Sequence, residues 1–241
     1  MMKIKKSIYL ILTIMVFMLA TSSLSQAGTI VGSRHDLSAL SKKGSHSETF
    51  FVIEDYEQVC VYCHIPHNSN QNGGPLWNRP LPSANAYNLY DSETLDSSTA
   101  SINTKSLLCL SCHDGTIAVD TLLNSPWEKI SNYGDHMRAQ RTSENCGNCH
   151  YGGIGRKLGS FLSQDLSNDH PVSFTYDSTL ATADGGLKDP SAPSGLGGSI
   201  ANDMLSNGQL ECTSCHDVHD PQYGNFLIKE GQNLCVTCHD K

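Results

Sequence analysis

Apolar residues form one long run near the start of this chain and only short, irregular groups after it. From Ile8 to Ala20 every residue but Thr13 is apolar, and Lys3, Lys5 and Lys6 precede the run. That length falls short of the roughly 20 apolar residues that span a bilayer. With Ser25-Gln26-Ala27 behind it, the segment reads as an export signal cleaved after Ala27. Residues 1–27 are expected to be removed and residues 28–241 to remain, with no stable membrane span after cleavage. Further along, neither a heptad nor a sustained alternation appears. Turn-forming residues dominate from Asn68 to Pro82 and from Asp184 to Gly208. The pattern predicts a mostly irregular, loop-rich fold with short helices. Short strands are expected near Thr49–Ile53 and Val172–Tyr176.

A fold with so little apolar periodicity needs another source of cohesion, and the cysteines supply a candidate. The chain has 10 cysteines and 11 histidines. All the cysteines fall in five strings, Cys60-Val-Tyr-Cys63-His64, Cys109-Leu-Ser-Cys112-His113, Cys146-Gly-Asn-Cys149-His150, Cys212-Thr-Ser-Cys215-His216 and Cys235-Val-Thr-Cys238-His239. CxxCH is the attachment signal for c-type haem. Two thiols on one turn can add to two vinyl groups along a porphyrin edge, and the next residue sets its imidazole over the ring as an iron ligand. The competing chemistries fit less well. Structural zinc does not require the trailing histidine, and five CxxC strings are an odd number of half-sites. A redox CxxC sits on a βαβ scaffold, of which there is no sign. A disulfide framework would not place histidine after every pair. Five covalent haem c groups, each with its iron, are expected. The porphyrins then make up much of a haem-packed core.

Each iron has a second face. Six histidines lie outside the motifs: His35, His46, His67, His136, His170 and His219. His67 and His219 follow a motif histidine by three residues, so neither can reach the far face of its own haem, but each can reach a neighbour's. His35, His170 and His136 sit among polar turn residues that suit a loop donating an imidazole, with Met137 a substitute for His136. His46, in a Ser/Lys/Gly stretch, is left out. His35, on an arm close to the expected cleavage point, has the reach to serve a haem of its own chain or of a neighbouring subunit. Because methionine ligation raises potential, a mainly histidine set is expected to be low-potential. Trp77 and Trp127 are read as haem-packing residues. Arg79 is either a haem-propionate partner or an exposed side chain.

The motifs divide the chain into a haem pair at 60–114, a single haem at 146–150 and a compact pair at 212–240. The last segment, Cys212-Thr-Ser-Cys215-His216-Asp-Val-His219 to Leu234-Cys235-Val-Thr-Cys238-His239, resembles the doubled CXXCH motif family of multihaem c-type cytochromes. The 60–113 segment is similar to a stretched version of it. The wider layout, with Gly-Ser-Arg-His35-Asp-Leu-Ser early and Asn-Asp-His170-Pro-Val-Ser-Phe late, is similar to extracellular cytochromes of metal-respiring bacteria, some of which polymerise into filaments. The resemblance implies electron transfer outside the cytoplasm, in the periplasm or at the cell surface. It also implies redox protein partners or an extracellular acceptor, with a homo-oligomer or filament among the arrangements. The alternative is a multihaem reductase of a small oxyanion such as nitrite, which needs one five-coordinate haem. Such reductases often carry a CxxCK motif, and none occurs here. No catalytic residue is assigned. The formal net charge of −8, more negative once the three leader lysines are gone, excludes a nucleic-acid partner.

Overall fold

The computed structural model describes residues 29–38, 56–74, 76–117, 119, 121–126 and 162–240. Within them, regular structure is sparse. Helix α1 spans Thr104–His113, β1 Phe174–Thr175, α2 Ser178–Asp184, α3 Ile200–Asp203, β2 Gln209–Leu210 and α4 Gly231–Cys238, with a 3₁₀ turn at Cys212–Ser214 between β2 and α4. The two strands pair antiparallel, Phe174 opposite Leu210 and Thr175 opposite Gln209. Strand β1 falls inside the stretch expected to be extended. The strand expected at Thr49–Ile53 lies outside the described residues, as do the leader and the whole 146–150 motif.

Local chemistry accounts for the short elements. Asp177 caps α2 by accepting from the Leu180 N–H at 2.9 Å, and Gly185 ends that helix in the left-handed region at φ 67°. Ser199 caps α3 through the N–H of Asn202. Asn103, at the same position on α1, makes no side-chain cap.

Three small apolar clusters replace a single core. Phe174, Tyr176, Leu180, Ile200, Met204 and Leu210 gather around Cys238. Ile102, Leu107 and Leu110 pack with Leu166 beside α1. Tyr56, Val61 and Tyr62 form the third, against Cys63. Each cluster holds or adjoins one CxxCH motif, so packing serves to fix the motifs in space. Among the described residues the fold is loop-rich, with a few short helices and one small two-stranded sheet.

Candidate haem-binding site

Each described motif closes one helical turn. His64, His216 and His239 donate their backbone N–H to the carbonyl of the first cysteine of their own motif, at 2.8, 3.1 and 3.0 Å. Cys109 and His113 lie one turn apart in α1. The turn puts both thiols and the imidazole on one side, as the attachment chemistry requires. Tertiary bonds then hold the turns. Asn78, fully buried, donates its backbone N–H to Cys63 O at 2.8 Å and its side chain to Val61 O and Asn124 O. Cys215 O accepts from the Ile228 N–H at 3.0 Å, and Cys238 O from the Lys188 N–H at 2.8 Å.

Three motif imidazoles have a second imidazole beside them. His64 and His219 have ring centroids 6.3 Å apart, His35 and His113 6.1 Å, and His170 and His239 6.3 Å. These separations exceed ring contact. A metal–imidazole bond is about 2 Å and the ring centre lies about 1 Å further, so two imidazoles on opposite sides of one iron have centroids about 6 Å apart. The spacing fits an iron between each pair. The outer ring nitrogens are also engaged. The Nδ1 atoms of His170 and His216 lie 2.8 and 2.9 Å from the carbonyls of Pro171 and Asn225, and His219 Nδ1 lies 3.5 Å from Asp217 Oδ1. Such a bond fixes the tautomer and leaves Nε2 for a metal. His35 is half-buried, with the Phe226 ring stacked on it at 4.2 Å, and burial holds its pKa below the ordinary histidine value. Asp36 shapes the arm by accepting from the Gly32 N–H and the Ser38 hydroxyl.

Cysteines of different described motifs also influence one another's thiols. The neighbouring Cys212 thiol, with burial, pushes the Cys109 thiol well above its usual range, while Cys109 holds Cys212 below its own despite burial. Burial, reinforced by neighbouring Cys112, pushes Cys63 up to about 12. Burial, with Cys238 next in weight, raises Cys215 to about 11. These shifts belong to free thiols; a thioether sulfur does not titrate. Hydrogen bonds set the motifs against one another: Asn78 holds Cys63 O while the adjacent Arg79 holds Ser111 O in α1, and the Cys212 N–H donates to Ser106 Oγ of the same helix at 3.2 Å.

Other residues expected at the site fare unevenly. His67 is exposed, its Nδ1 3.4 Å from Asn68 Nδ2, and no imidazole pairs with it or with His216 among the described residues. His136, Met137, His46, Trp127 and the third motif, Cys146, Cys149 and His150, lie outside the described residues. Trp77 lies edge-on to His64 with centroids 5.9 Å apart, and its buried Nε1 has no hydrogen-bond partner. A haem carboxylate would satisfy that donor, and the thiol turns, imidazole spacing and orphan indole together fit the group. Arg79 is corrected. Neither alternative expected from the sequence describes it, because it is fully buried and its guanidinium donates to Ser111 O at 2.8 Å, Thr121 O at 3.3 Å and Val119 O, pinning the end of α1. Glu211, also buried, was missed by sequence reasoning; its only signal there is a serine three residues later, completing a capping box.

Comparison with known families agrees with the local chemistry. The family described as the doubled CXXCH motif matches residues 204–241, which span the fourth and fifth motifs. The chain therefore carries a c-type cytochrome-like haem-binding motif, one that takes haem c covalently with its iron. No curated protein matches the chain. Among the described residues, no helix is long and apolar enough to cross a membrane.

Proposed function

We propose that the chain is an exported multihaem c-type cytochrome that carries electrons through five haems, without catalysing bond chemistry. The observation that carries this reading is the pairing of three motif imidazoles with three non-motif imidazoles at 6.1 to 6.3 Å. In it, His64 and His219 hold the first haem, His113 and His35 the second, and His239 and His170 the fifth, while His216 holds the fourth on one side. Two imidazoles leave an iron no position for substrate, which favours electron transfer over the reduction of an oxyanion. Haem bound at these turns supplies a one-electron couple between ferric and ferrous iron.

The chain's own residues set the spacing. Among the described motifs, the fourth lies against the helix that carries the second, where the Cys212 N–H meets Ser106 Oγ at 3.2 Å. The macrocycles supply the apolar bulk that the three small clusters lack. The donor and acceptor are redox partners or an extracellular acceptor, reached in the periplasm or at the cell surface, with self-assembly as a further arrangement. Within a single chain His35 already has a motif imidazole beside it, which favours ligation in its own subunit.

The test is to replace His35, His170 and His219 singly by alanine in the matured protein. Each variant is expected to keep five haems by intact mass and to gain one high-spin haem in its ferric spectrum, restored to low spin by added imidazole. Fully low-spin spectra in all three variants would overturn the ligand assignment, and fewer than five haems in the parent protein would overturn the count.

A further inference from the structure

The junction between the second and fourth motifs is built around one buried carboxylate. Glu211 is 2% exposed and immediately precedes Cys212. Its oxygens accept from Asn103 Nδ2 at 2.7 Å, Ser173 Oγ at 3.0 Å, Ser106 Oγ and the backbone N–H of Ser214. Ser106 Oγ and Ser173 Oγ both donate to Glu211 Oε2, and each in turn accepts a backbone N–H, from Cys212 and Asn103 respectively. A carboxyl group that only accepts is an ionised one. All four donors are neutral, and among the described residues no lysine or arginine bonds to it. Their dipoles stabilise the charge without cancelling it.

The surroundings give up favourable alternatives to keep this arrangement. Asn103 occupies the position from which asparagine ordinarily caps a helix, yet its amide is turned to Glu211 and Gln209 and α1 goes without a side-chain cap. Ser173 holds a left-handed backbone at φ 65°, unfavourable for any residue but glycine. Burying a bare carboxylate costs several kcal/mol unless hydrogen bonds replace its hydration. An apolar residue would join the two segments without that cost.

We infer that Glu211 is a positioning residue of the electron path whose fixed negative charge, next to Cys212 and bonded to Ser106 one turn before Cys109 in α1, lowers the reduction potentials of the second and fourth haems together. The inference rests on the haem reading above. Reduction adds one electron from an external one-electron reductant to each iron, and no bond breaks. A nearby anion favours the more positive, oxidised site. Because Ser106 in α1 bonds both Glu211 and the Cys212 N–H, one charge sits at the junction of the two motifs and acts on both sites.

The experiment is a dithionite titration of the matured protein, followed optically and by electron paramagnetic resonance, for Glu211→Gln and Glu211→Asp against the parent. A unit charge at roughly 10 Å across an effective dielectric of about 20 shifts an equilibrium by about tenfold, or about 59 mV for one electron. Glu211→Gln is expected to raise two of the five potentials by about that much and leave the others in place. Glu211→Asp, which keeps the charge, is expected to remain close to the parent. Should Glu211→Gln fail to mature, Gln209→Lys sets a cation beside Asn103 at the half-exposed edge of the same network and is expected to raise the same two potentials by a smaller amount. Five low-spin haems with unchanged potentials in Glu211→Gln, or in Gln209→Lys where it stands in, would overturn this inference and leave the haem reading intact. Fewer than five haems in the parent would instead overturn the haem reading.

Discussion

Phe226 gives the sharpest test of how the N-terminal arm is held. Its ring lies 4.2 Å from that of His35 at an interplanar angle of 17°, and the residue is 7% exposed. Its backbone is left-handed, φ 57°, directly after Asn225 at φ 47°. The two properties pull in opposite directions when the side chain is removed. Deleting a buried phenylalanine side chain costs about 3–5 kcal/mol, which includes the stacking on His35. A non-glycine residue in left-handed backbone is penalised by about 1 kcal/mol. Phe226→Ala loses the ring and keeps the penalty, whereas Phe226→Gly loses the ring and is relieved of it. The glycine variant is therefore expected to be about 1 kcal/mol more stable than the alanine variant, the reverse of their order in helices or strands. Thermal and guanidinium melts give the ranking, and under the proposed ligation the ferric spectrum recorded on warming reports when His35 leaves its iron. Both variants should turn one haem high-spin at a lower temperature than the parent does. Alanine proving at least as stable as glycine would refute the backbone reasoning. An unchanged spin transition would refute the claim that the ring steadies His35.

Two further outcomes test local packing. A Cβ on Gly73 would come within 2.6 Å of Trp77 Cδ1, so Gly73→Ala is expected to displace the indole from the edge of His64 and to perturb the first haem alone, seen as a changed Trp77 fluorescence with five haems retained. Asp177→Ala removes the cap of α2 and is expected to cost about 1 kcal/mol of stability in a guanidinium melt, with all haem spectra unchanged.

The legible part of this protein was the chemistry that is local in sequence. The one-turn geometry of CxxCH follows from four consecutive peptide units, and the same turn recurs at all four described motifs whatever surrounds them. His35, His170 and His219 stood out because turn residues flank two of them and a fixed spacing marks the third. Their partners did not, since the pairing of His219 with the first motif rather than another depends on which loops pack together, and nothing in the spacing encodes that. His67 shares the sequence context of His219, and both are exposed, yet among the described residues only His219 has a motif imidazole beside it. Arg79 and Glu211 were illegible for a different reason. Charged residues are ordinarily at the surface, and only the carbonyls and hydroxyls that converge on them, drawn from segments up to 108 residues away, reveal that these two are inside.

The pairing of His64 with His219 bears on how the chain can reach its final form. The two residues are 155 positions apart, and His35 is 78 positions from His113. Contacts of such separation make folding slow, because the loop between them must be closed before the contact repays it. During synthesis the first motif is complete long before its partner imidazole exists. For that interval its iron-binding face can be matched only by water, a stray imidazole or another chain. A protein so built depends on quick delivery of its C-terminal third, and a chain truncated before residue 219 would keep an unpaired first motif however well the rest had assembled.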